Sequence, residues 1–137
     1  MKVYPSILVQ AEANDQPLGG YRVWFLAKNW HKASGYIPDK KFKAHLKELG
    51  VAKSSYHRWI KEAYELGLFR RAGKLIKLAS WKKAGELAGC KKLDNPVKIE
   101  LDNFIGAGWA SFVWAGFIKN HEGIIARATL QELSGGV

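Results

Sequence analysis

Cysteine occurs once in this chain of 137 residues, at Cys90, so no internal disulfide can form and no cluster of thiolates can hold zinc. A reducing compartment suits such a sequence. Histidine is sparse too: there are four, scattered, and none suggests a serine-histidine-acid arrangement. His121-Glu122 is followed at position 125 by Ile125, where a zinc-protease helix needs its second histidine. Gly67 and Gly73 lead into Lys74-Leu75 and lack both the spacing and the final hydroxyl of a phosphate-binding loop. These absences argue against an enzyme, and no metal or cofactor is expected. Acidic residues are few, 12 against 22 Lys and Arg, and the resulting +10 favours a polyanionic partner through attraction to phosphates and release of their counterions. Long apolar runs are missing as well. The most apolar stretch, Phe104 to Ile118, falls short of the ~20 residues that span a bilayer and is closed off by Asp102 and Lys119. The opening Met1 to Gln10 is too broken for a secretory hydrophobic region, so no membrane association and a cytoplasmic location are expected.

What is present is globular: 47% hydrophobic residues and 25% charged ones supply one core or two small ones. Met1 to Gly20 has a short β-like run, Ile7 to Val9, followed by the turn-rich Asn14 to Gly20, and reads as an N-terminal arm over 1–20 that could add a strand. From Tyr21 the pattern becomes helical, with Val23, Leu26, Ala27 and Trp30 in register and Trp24 and Phe25 widening the apolar face, which predicts a helix to about Lys32. Tyr36-Ile37-Pro38 is long enough only for a strand stub, after which Asp39 stands at an expected N-cap. Phe42, Leu46 and Leu49 predict a second helix over Lys40 to Leu49, stopped by Gly50, with Val51 as a plug in the turn. Tyr56, Ile60 and Ala63 predict a third helix over Lys53 to Leu66, ended by Gly67. Two helices joined by so short a turn are expected to cross steeply. Leu68 to Arg71 and Lys74 to Ala79 flank Ala72-Gly73 and read as a hairpin.

The order helix, strand stub, helix, Gly-Val turn, helix, hairpin resembles the winged helix-turn-helix family. The matching residues are Phe42, Leu46, Leu49-Gly50-Val51, Ser54-Ser55, Ile60 and Leu66-Gly67-Leu68-Phe69, and the resemblance covers about 60 residues of the chain. One departure is Ala52, which stands where the family often has a capping serine or threonine, so Ser54 or Ser55 is an alternative start for the third helix. The resemblance implies a mainly α fold with a small β-hairpin (α+β): a winged helix-turn-helix over 21–89, then a C-terminal strand and helices over 90–137. It further implies a recognition helix presenting Lys53, Ser54, Ser55, His57, Arg58 and Lys61 to double-stranded DNA, in a transcriptional regulator or a phage or plasmid replication protein. Arg and Lys donate to guanine O6 and N7, while hydroxyls and His57 reach bases or phosphates. Arg70, Arg71 and Lys74 on the wing would lie against a flanking backbone or minor groove, and Lys40, Lys41 and Lys43 would hold phosphates. Trp59 and Tyr56 are expected to pack in the core rather than touch DNA.

The charge is placed accordingly. Between Asp39 and Lys83 stand 13 Lys and Arg against 4 acids, a net +9 of the chain's +10. A surface merely kept soluble would spread that excess.

Beyond a short helix and loop at Lys82 to Lys92, Val97 to Leu101 alternates like a strand and Trp109 to Asn120 reads as an apolar helix that must be covered. That stretch, 104–120, carries the alternative function: a protein-interaction winged helix that forms a homodimer or recruits a replisome partner through its aromatic helix. Ile125 to Val137 resembles the opening half of a second helix-turn-helix, expected of an N-terminal piece of a longer protein or of a natural product whose second reader is absent, the plainer alternative being a terminal helix with a glycine tail. RNA binding ranks behind both, for want of an aromatic strand motif.

Overall fold

The computed structural model describes residues 2–30, 35–93 and 96–98. The expected helix over 109–120, the half helix-turn-helix near the end and the strand beyond residue 98 lie outside the described residues. The described chain is α+β, with five helices and a three-stranded antiparallel sheet.

The chain opens with strand β1 (Lys2–Val3) and helix α1 (Pro5–Ala13). The β-like reading of Ile7 to Val9 is therefore corrected, as is the arm. Pro5 sits in the first turn, where its missing N–H costs nothing, and Ile7, Leu8 and Ala11 form a buried face at helical spacing. α2 (Leu18–Trp30) is the central helix: Tyr21 and the run from Val23 to Ala27 are buried, against α1 on one side and later elements on the others. It starts three residues before the expected Tyr21.

Strand β2 (Tyr36–Pro38) runs into α3 (Asp39–Glu48), whose Phe42 and Leu46 are buried. Asp39 is not the cap expected of it. Pro38 holds the capping position, and Asp39 is the first helical residue, its carboxylate 3.3 Å from Lys43 Nζ one turn on. Trp30 stacks on His45 at 4.8 Å and tilts against Phe42 at 5.6 Å, which fastens α3 to the end of α2.

Gly50 takes φ +85°, open to a residue without Cβ, and lets the Gly50 and Val51 N–H groups donate to Lys47 and Leu46 carbonyls at 3.0 and 3.1 Å. Val51 folds back onto the core as the expected plug. α4 (Lys53–Leu66) follows, with the expected limits; Ala52 is its N-cap and supplies no side-chain bond. α4 packs chiefly on α2.

β3 (Phe69–Ala72) and β4 (Leu75–Leu78) form the hairpin, with Gly73 at φ +63° opening a two-residue loop, one residue later than expected. The strand stub pairs antiparallel with β4, giving the order β2-β4-β3 and placing Ile37 beside Ile76 in the core.

α5 (Trp81–Ala88) begins at Ser80, whose Oγ accepts the Lys83 N–H at 3.0 Å. It packs on α1, and β5 (Val97–Lys98) pairs antiparallel with β1. Residues assigned from sequence to an arm and to a C-terminal segment thus close against each other, and one hydrophobic cluster runs from Val3 to Ala88. Trp24 belongs to it; its indole N–H donates to the Ala79 carbonyl at 3.0 Å, and Trp81 meets its ring edge-on at 5.1 Å.

Candidate nucleic-acid interface

Helical periodicity divides α4 into two sides. Tyr56, Ile60 and Ala63 are buried, while Lys53, Ser54, His57, Arg58 and Lys61 are exposed. At ~100° per residue those five fall within an arc of roughly 140° that adjoins the buried arc at Lys53, beside Ile60, and turns away from it toward Arg58. Ser55 lies at the edge of this arc and is half-buried.

The angular position of the stripe is set by α2. Arg22 lies over the Trp59 ring at 4.5 Å, and Trp59 is half-buried against the core edge, so the indole is a packing residue. Burial lowers the pKa of Arg22 below its ordinary value. Tyr56 is 7% exposed and packs as expected.

Around the stripe the basic residues are largely free of acids. Among the described residues two ion pairs fall within 4 Å: Lys43 with Asp39, and Arg58 with Glu62 at 3.9 Å. Both are i,i+4 helix pairs, worth ~0.3–0.5 kcal/mol, too little to hold a side chain against a phosphate. Lys40 and Lys41 are exposed on α3, Lys43 is half-buried and engaged by Asp39.

The hairpin separates residues that the sequence sets side by side. Arg71 pairs with Ile76, on the sheet face that packs inward; Arg70 pairs with Lys77, on the outer face. Arg71 is near enough to Tyr64 of α4 to influence its hydroxyl, whose pKa burial raises, Asp39 raises further and Arg71 lowers. Arg71 therefore stands on the α3–α4 side and Arg70 does not. Lys74 is exposed in the hairpin loop.

Two cations were absent from the sequence expectation. Lys77, flanked by buried Ile76 and Leu78, was legible from strand alternation. Lys83 was not, because its closeness to Arg70 and Lys77 depends on where α5 starts. Together with Gly67, Leu78, Ala79 and Ser80 these three line a cavity of about 340 Å³.

Among the described residues no group of three or more His, Cys, Asp or Glu could hold a metal ion, and no helix is long and apolar enough to cross a membrane. Compared with family models, with curated proteins and with solved structures, the chain matches none.

Proposed function

We propose that this chain is a winged helix-turn-helix that binds duplex DNA, reading bases with α4 and gripping phosphates from α3 and the β3–β4 hairpin. The observation that carries the proposal is the solvent-facing stripe Lys53, Ser54, His57, Arg58 and Lys61 on α4, backed by the buried Tyr56, Ile60 and Ala63. A groove-entering helix needs donors on its open side and apolar anchors on the other. The element order from α2 to β4, with β2 completing the sheet, adds support.

Lys40 and Lys41 neutralise backbone phosphates on one side of the groove, and Arg71 and Lys74 do so on the other. Arg58 and Lys61 reach base edges, where bidentate or single donation to guanine O6 and N7 discriminates between base pairs. The role is binding rather than catalysis, in a cytoplasmic regulator or a phage or plasmid replication protein.

Fluorescence anisotropy on a pool of random duplexes, with salt raised from about 50 to 200 mM, tests it. Binding at low salt that weakens by orders of magnitude over that range is expected for several phosphate contacts. A chain that stays free at 50 mM salt would end the proposal.

A further inference from the structure

The base of the hairpin carries a second cluster of charge, away from the N-terminal half of α4. Its cavity borders Gly67, just past the C-terminus of α4, whereas Lys53 opens that helix; 14 residues at ~1.5 Å each separate the two ends by roughly 20 Å. None of the lining residues is acidic, and among the described residues no acid lies within ion-pair distance of Arg70, Lys77 or Lys83.

Local structure sets these cations against one another. Arg70 and Lys77 are directly opposed on neighbouring strands and share a face, an arrangement that like charges disfavour. Lys83 sits in the first turn of α5, where a helix end already carries partial positive charge and where no acid offsets it. Three cations drawn from β3, β4 and α5 thus line one concavity, and among the described residues no ion pair offsets them; Lys77 Nζ lies 6.0 Å from the Tyr36 ring centroid, at the outer limit of a cation–π contact. A bound anion would offset that repulsion. Ser80 adds a hydroxyl whose oxygen accepts the Lys83 N–H, leaving its proton to donate.

We propose that the cavity lined by Arg70, Lys77, Ser80 and Lys83 binds the phosphate group of a small phosphorylated ligand. The size suits that ligand: about 340 Å³ lies at the low end of the ~300–1,000 Å³ of small-molecule sites. Leu78 and Ala79 give the remainder of the ligand an apolar wall. The site is independent of the α4 stripe.

Calorimetric titration of the whole chain with inorganic phosphate and with glycerol 3-phosphate, each against sodium chloride of equal ionic strength, tests the site. Saturable binding of both is expected, with at least a tenfold weaker Kd in an Arg70→Ala, Lys83→Ala double variant and no change in Lys40→Ala, Lys41→Ala. Removing like charges relieves repulsion, so the double variant should fold at least as well as the parent, which thermal melting checks. Absence of saturable binding in the parent, or an unchanged Kd in the double variant, overturns the proposal. So does a double variant that loses duplex affinity while titrating with glycerol 3-phosphate as the parent does, because the cations would then serve a nucleic-acid backbone.

Discussion

Gly20 of α2 lies so close to Ala63 of α4 that a Cβ added at position 20 would stand 2.9 Å from the Ala63 backbone nitrogen. The contact is backbone, which cannot rotate aside. Gly20→Ala is expected to force α4 outward and to cost about 1–3 kcal/mol, the range for overpacking a well-filled core. Urea denaturation measures the loss; a stability within 0.5 kcal/mol of the parent would show that the helices can part at little cost.

Asn14 ties the end of α1 to the end of α5. Its side-chain amide donates to the Ala88 carbonyl at 2.8 Å, and Gln16 does the same to the Leu87 carbonyl at 2.8 Å, so the last carbonyls of α5 are satisfied from the α1–α2 connection. Asn14→Ala is expected to cost about 1 kcal/mol. Asn14→Asp should cost more, since a carboxylate then faces a carbonyl oxygen. Equal midpoints for the two variants in urea would contradict this account.

Tyr21 makes stability fall in alkali. Its hydroxyl donates to Gln16 Oε1, and burial, followed by the nearby Cys90, raises its pKa well above the usual tyrosine value. A phenol whose folded pKa is raised stabilises the fold fully below its unfolded pKa of about 10 and loses that contribution as pH climbs toward the folded value. Tyr21→Phe is expected to flatten the decline in stability above about pH 10 while changing little at pH 7 beyond one hydrogen bond. Denaturation midpoints between pH 7 and 11 check the slope; parallel curves would exclude Tyr21 as the cause.

Arg58 and Lys41 should separate reading from anchoring. Arg58 has a side chain 69% exposed and a weak Glu62 contact, so Arg58→Ala is expected to leave stability within about 0.5 kcal/mol. Its effect on DNA should be a loss of about 1–3 kcal/mol concentrated on the preferred duplex. Lys41→Ala should weaken every duplex alike and make the salt slope shallower by about one. Uniform loss for Arg58→Ala across sequences would remove it from base reading.

Much of the candidate interface could be read before any fold was known. Tyr56, Ile60 and Ala63 repeat at helical spacing and Gly67 ends the run, so α4 has its expected limits, and with them its exposed Lys53, His57 and Lys61. α1 could not be read in the same way. Ile7-Leu8-Val9 is apolar without a clear period over three residues, and such a run suits a strand or a buried helix equally. Contact with α5 decides it, through residues more than seventy positions away.

The limits of α4, the Gly-Val turn and the concentration of charge between Asp39 and Lys83 were local properties of the chain, legible because backbone sterics and side-chain spacing act over a few residues. The separation of Arg70 from Arg71, the meeting of Lys83 with Lys77 and the closing of Asn14 onto Ala88 needed the folded state. Those relations depend on which apolar surfaces bury one another and in what register strands pair, and no short stretch of sequence carries that information.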